Sequence, residues 1–191
     1  MNEVQIEEII RNTLSPQRFT HVCGVVAAAD RLAQRFHVER QQARLAAWIH
    51  DYAREWPVDR WYEVAKERNI PEEFLSVAQV LHGPIVAEMM GELFDLEDAD
   101  IANAVRYHTT GRVGMSELEK VVCLADYIEA GRTFPGVEDL REKAEHDLDL
   151  ALASAFDGTI RHLLDKQASI FPLTVLARND LWQRIKNKRT R

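Results

Sequence analysis

Ser15-Pro16-Gln17-Arg18-Phe19-Thr20-His21-Val22-Cys23-Gly24-Val25-Val26-Ala27-Ala28-Ala29-Asp30-Arg31-Leu32-Ala33-Gln34-Arg35-Phe36 decides the fold class. A serine that can cap a helix stands directly before a proline, whose fixed φ and missing N–H suit the first helical position. Phe19, Val22, Val25, Val26, Ala29, Leu32, Ala33 and Phe36 then recur every three or four residues, which draws one apolar stripe down a long helix from about Pro16 to Phe36. The same period continues along the chain, and β-branched runs with two-residue alternation are missing, so the fold class is all-α. Further helices are expected from Glu39 through Tyr52, stopping before Trp56-Pro57, then at Asp59–Arg68, Glu72–Leu81, Ile85–Phe94 and Ala99–His108. Ser116-Glu-Leu-Glu119 matches a capping box and opens a helix to about Ala130. Helices near Val137–His146, Leu148–Gln167 and Val175–Ile185 complete the set, and a basic tail, Lys186 to Arg191, is expected to fray.

With 191 residues, 46% hydrophobic and 29% charged, the chain has material for one core and reads as a single domain over 1–191, with its motif-bearing part at about 16–132 and C-terminal helices at about 137–185. A formal charge of -7 argues against a surface built to neutralise nucleic-acid phosphates, and no apolar run is long enough to span a bilayer. Cys23 and Cys123 form no C-x-x-C and no disulfide framework, and the start Met-Asn-Glu-Val-Gln lacks the basic and apolar regions of a signal peptide. A reducing, cytoplasmic location is therefore expected, with both cysteines as small buried hydrophobes.

The seven histidines sort into two groups. His37, His146 and His162 lie in charged surroundings and read as surface residues. His21, His50, His82 and His108 lie within or at the end of helices, in apolar sequence, as do Asp51 and Asp126. Taken singly, each is an ordinary hydrogen-bonded histidine or capping aspartate. Together they are costly to bury in one small core unless a cation compensates them. Imidazole with carboxylate and no thiolate suits Fe, Mn, Co, Ni or Zn. Six ligands exceed one tetrahedral ion with an open position, which leaves one octahedral ion or, the preferred reading, two ions bridged by a carboxylate. His50 and Asp51 point about 100° apart around their helix, so one can bind terminally and the other bridge.

The order His21, His50-Asp51, His82, His108, Asp126 resembles the HD-domain metal-dependent phosphohydrolase superfamily and, more closely, the YqeK family of bacterial HD-domain proteins. The segments carrying the resemblance are Ala46-Ala-Trp-Ile-His-Asp-Tyr-Ala-Arg54, Leu81-His-Gly-Pro84, His108-Thr-Thr-Gly111 and Ala125-Asp-Tyr-Ile-Glu-Ala-Gly-Arg132. It implies symmetrical cleavage of diadenosine tetraphosphate and related dinucleoside tetraphosphates into two nucleoside diphosphates at a di-iron centre. It further implies His21, His50, Asp51 and Asp126 as ligands of one metal, and Asp51, His82 and His108 as ligands of the second. Where the family usually has lysine, this chain has Arg54, which replaces a point charge by a forked donor.

Such a centre would ionise a water for attack on an inner phosphorus, with Asp51 and Arg54 as the catalytic residues. Arg18 and Arg132 are candidate phosphate contacts, as are Thr109, Thr110 and Gly111 beside His108, with Gly83 allowing close backbone approach beside His82. Glu129 is a candidate for positioning water or supporting a ligand. Trp48, Trp56, Trp61 and Tyr62 could stack on a base, against a simpler reading as core aromatics. The expected partner is a small nucleotide, with no nucleic-acid polymer and no membrane; the long C-terminal helices permit a homodimer. The competing readings are another HD-type nucleotide phosphohydrolase, or a non-catalytic protein that binds metal and nucleotide.

Overall fold

Local sequence signals set most of the helix boundaries in the computed structural model, which describes residues 1–190. Helix α1 spans Glu3–Thr13, and α2, capped by the Ser15 hydroxyl on the Arg18 N–H, spans Pro16–Arg35. The chain continues as α3 (Arg40–Ile49), α4 (Val58–Glu67), two short 3₁₀ turns (Glu72–Ser76 and Ala78–Val80), α5 (His82–Phe94) and α6 (Ala99–Tyr107). Then come α7 (Glu117–Ile128), α8 (Val137–Ala144), α9 (Leu148–Asp165) and α10 (Pro172–Arg189). No strand occurs among the described residues, as an all-α chain requires.

Four departures from the sequence reading have local causes. Helix α1 was not foreseen; its signal is the capping box in which Asn2 and Gln5 satisfy each other's backbone amides. The expected helix Glu72–Leu81 is broken at Val77, whose extended backbone (φ -139°, ψ 99°) splits it into the two 3₁₀ turns. Helix α3 stops at Ile49 rather than at Tyr52, because the chain tightens into successive three-residue turns, Tyr52 to Ile49, Arg54 to Asp51 and Trp56 to Ala53. Helix α10 begins at Pro172 and runs to Arg189, through most of the tail expected to fray, and Lys188 pairs with the buried Asp149 of α9 at 2.6 Å. Arg191, the end of that tail, lies outside the described residues.

All ten α-helices contribute to one contiguous buried cluster, in which Ile6, Val25, Leu32, Ile49, Val86, Leu124, Leu152 and Leu181 are at most 5% exposed. Helix α2 packs on α3 and α7, α6 on α3, α5 and α7, and α9 on α7, α8 and α10. The four histidines of the apolar group stand on α2 and at the ends of α3, α5 and α6, and so meet where those helices converge. No helix among the described residues is long and apolar enough to cross a membrane.

Candidate metal centre

Three of the four imidazoles are aimed by the same backbone device. The carbonyls in the last turn of a helix have no partner further along, and a side chain just beyond can take one. His50 follows α3 and donates from Nδ1 to Ala47 O at 2.6 Å; His108 follows α6 and donates to Val105 O at 2.7 Å; His82 follows the second 3₁₀ turn and donates to Gln79 O at 2.9 Å. Each bond fixes the tautomer and leaves Nε2 facing inward with its lone pair available to accept. His21, on α2, instead pairs its Nδ1 with Glu129 Oε1 at 3.2 Å.

Asp51 stands where the four imidazoles converge. Its Oδ2 lies 3.6 Å from His21 Nε2 and 3.5 Å from His50 Nε2; its Oδ1 lies 3.3 Å from His82 Nε2 and 3.9 Å from His108 Nε2. One carboxylate oxygen thus faces each pair of histidines. Asp126, from the last turn of α7, joins the first pair with Oδ1 3.0 Å from His21 Nε2. The ligand atoms of His21, His50 and Asp126 lie within 4.8 Å of one another, and so do those of His50, Asp51 and His108.

The electrostatics fit a cation. His21 Nε2 and His50 Nε2 are buried with no hydrogen-bond partner, although Asp126 Oδ1 lies 3.0 Å from the former. Each such atom costs about 1–3 kcal/mol unless something satisfies it, and a metal would satisfy both. Burial, with His82 and His50 beside it, pushes His108 down to about 3, so its imidazole is neutral and ready to ligate. Burial alone would raise the Asp51 carboxyl, but the facing His50 and His82 imidazoles outweigh it and hold Asp51 well below the usual range. Asp126 is likewise kept ionised against its burial by His21, Arg132 and His50.

A family pattern described as "HD domain" matches residues 18–131, the segment that contains all six of these histidines and aspartates. The chain belongs to the HD domain family. It is 37% identical over 180 residues, 94% of its own length and 97% of the other's, to a Bacillus subtilis protein named "Bis(5'-nucleosyl)-tetraphosphatase, symmetrical". It is 38% identical over 182 residues, 95% and 97% of the two lengths, to a protein of the same name from Halalkalibacterium halodurans. A crystal structure from Clostridium acetobutylicum, described as a predicted HD superfamily hydrolase involved in NAD metabolism, superposes with a TM-score of 0.92 at 35% identity, covering 96% of this chain and 98% of that one. The resemblance to the YqeK family is borne out, and HD hydrolases of this kind depend on metal.

Around the HD centre the remaining candidates divide. Arg18 Nη1 bonds Asp51 Oδ2 at 3.0 Å, and Arg132 pairs with Asp126 through Nη2, so both guanidiniums touch the cluster. Thr109 Oγ1 faces it too, 3.0 Å from His108 Nε2 and 3.4 Å from His82 Nε2. Thr110 does not: it is buried and its hydroxyl donates to Gly111 O, because the turn after α6 points it into the core. Gly83 differs as well, since a Cβ there would lie 2.8 Å from Val105 O, 3.0 Å from Arg106 O and 3.2 Å from His108 Nδ1. The missing side chain admits the end of α6 rather than a phosphate.

Trp48 and Trp61 are core residues, their indole N–H groups donating to Glu3 and to Ala53 O, while Trp56 is half-buried beneath Arg60, and Tyr62 is exposed. Cys123 is buried, and His37, His146 and His162 are exposed, as read from sequence, whereas Cys23, expected to be buried, is half-buried. Glu129 is the site residue most undervalued from sequence; its signal was its position one turn beyond Asp126, at the end of α7.

The role of Gly83 is testable. Gly83→Ala should separate α5 from the carbonyl that aims His108, lowering stability by about 1–3 kcal/mol and lowering bound metal with it. Calorimetry and metal analysis of the purified variant check this; an unchanged melt and unchanged metal content would show that His108 is not held through this contact.

Proposed function

We propose that the chain is a hydrolase that cleaves dinucleoside tetraphosphates, diadenosine tetraphosphate foremost, symmetrically into two nucleoside diphosphates, using two divalent transition-metal ions, iron first among Fe, Mn, Co, Ni and Zn. The observation that carries this reading is the Asp51 carboxylate, one oxygen toward His21 and His50 and the other toward His82 and His108, in a chain similar along nearly its whole length to symmetrical tetraphosphatases. His21, His50, Asp126 and Asp51 Oδ2 would hold one ion, and His82, His108 and Asp51 Oδ1 the other. Bound there, the ions would lower the pKa of water and neutralise phosphate oxygens.

The chain's own groups do the rest. The three carbonyl-tied imidazoles and Glu129-tied His21 keep fixed tautomers, so no reorganisation is needed as charge develops. Asp51 and Asp126 stay ionised at neutral pH, with Arg18 and Arg132 against them. Arg54 is different: among the described residues it forms no ion pair, only a long 3.5 Å contact with Gln79 O, the carbonyl that also aims His82. A guanidinium free of carboxylates at the rim suits phosphate oxygens, which it can grip with two parallel N–H groups. Water adds its oxygen to one inner phosphorus, the oxygen between the two inner phosphorus atoms departs with the other half, and both halves are nucleoside diphosphates.

Chromatography of the reaction with diadenosine tetraphosphate and added Fe or Mn tests the reading. Two molecules of ADP per substrate are expected; AMP with ATP in equal amounts would exclude symmetrical cleavage, and no turnover would favour a binding protein. Arg54→Ala should lower kcat/KM by about 10- to 100-fold, as expected for the loss of a hydrogen bond to a charged group, while metal content stays at the wild-type value. Loss of metal in that variant would assign Arg54 to the integrity of the centre instead.

A further inference from the structure

The four imidazoles are not held alike. His50, His82 and His108 each stand at a helix or turn end, where a carbonyl three residues back is free to accept from Nδ1. His21 is the sixth residue of a twenty-residue helix, where the preceding carbonyls are spent on the helical ladder. A ligand in mid-helix needs a side chain to fix its tautomer, and Glu129 Oε1 is the group that meets His21 Nδ1, at 3.2 Å.

Glu129 is itself clamped. It is 5% exposed, and its Oε2 accepts the Gly131 N–H at 2.6 Å. Arg141 reaches from α8 and donates to the carbonyls of Ile128, Glu129 and Arg132, which holds the turn that carries it. The slot for its carboxylate is made by a missing side chain: a Cβ on Gly24 would lie 2.5 Å from Oε2, 3.2 Å from Cδ and 3.3 Å from Cβ of Glu129. Gly24 follows His21 by three residues, on the same face of α2. A glycine within a helix is unfavourable relative to alanine, and this contact supplies a reason for it.

We infer that Glu129 is a positioning residue for the metal centre, a buried carboxylate that orients His21 and makes its Nε2 a stronger donor, in a slot opened by Gly24. The inference rests on His21 being a ligand, as proposed above. Carboxylates behind metal-binding imidazoles act in this way, and their loss weakens metal binding by about 10- to 100-fold.

The test uses Co(II), whose visible absorption reports its ligands, titrated into metal-free full-length protein in competition with a chelator. Glu129→Gln keeps the shape and removes the charge. It should weaken Co(II) binding by about 10- to 100-fold and alter the absorption, while the melting temperature of the metal-free protein stays near wild type. In a His21→Ala background the same substitution should cause no further loss, because the group it acts through is gone. Equal losses in both backgrounds, or wild-type binding and absorption in the single variant, would overturn the inference. If His21→Ala alone left binding intact, the metal reading would fall, and this inference with it. Should Glu129→Gln not fold, Gly24→Ala keeps the charge and displaces the carboxylate, with the same losses of Co(II) binding and change of absorption expected and the same binding results decisive.

Discussion

Asp51→Ala should reduce turnover of diadenosine tetraphosphate by roughly 10³-fold or more and empty the centre of most of its metal. The size follows from position. Among the described residues no other carboxylate faces all four imidazoles, and each of its oxygens faces a different pair. Removing it takes a ligand from both proposed ions at once, whereas losing any one histidine affects one. Charge stabilisation by such ions supplies several kcal/mol, and each 1.36 kcal/mol is a factor of ten in rate. The variant also leaves Arg18 without its buried partner, so circular dichroism must accompany the assay. Metal analysis then decides the cause. A folded Asp51→Ala protein with full metal content and full turnover would place the chemistry elsewhere.

Stripping the metal with a strong chelator should abolish activity and lower the melting temperature, and Fe or Mn should restore both. A ligand that binds the folded chain alone stabilises it by about 4 kcal/mol when present at a thousand times its dissociation constant. For a chain of this size that corresponds to a shift of roughly 8–16 °C. The expected direction follows from the orphaned Nε2 atoms of His21 and His50, which a bound ion would satisfy. An identical melt with and without chelator, in protein shown to hold metal beforehand, would mean that the ion sits outside this cluster.

Much of this architecture was legible in the sequence because its signals are local. Ser15-Pro16 starts α2 and Ser116 with Glu119 starts α7 through capping bonds made within four residues. The cluster was legible for a different reason: four histidines and two aspartates in apolar helical sequence called for a shared compensating partner, and the structure does bring these six side chains together. What failed to show were contacts between distant segments. Gly83 looked like a phosphate approach beside His82, and only the packing of α5 against α6 reveals that its Cβ would strike Val105 O. Thr110 and Thr109 are equivalent in sequence, yet the turn after α6 sends one hydroxyl to Gly111 O and the other to His108. The helix expected through Val77 is broken there, and the 3₁₀ turn that follows sets the Gln79 carbonyl in reach of His82 Nδ1. The α3 boundary matters in the same way, because stopping at Ile49 frees Ala47 O for His50.

The central claim is that Asp51 joins two ions, each held by its own pair of histidines. Anomalous diffraction from crystals of the Mn- or Fe-loaded protein tests it most directly. The account predicts two peaks, one beside His21, His50 and Asp126 and the other beside His82 and His108, with one Asp51 oxygen at each. A single peak, or peaks that Asp51 does not touch, would contradict it.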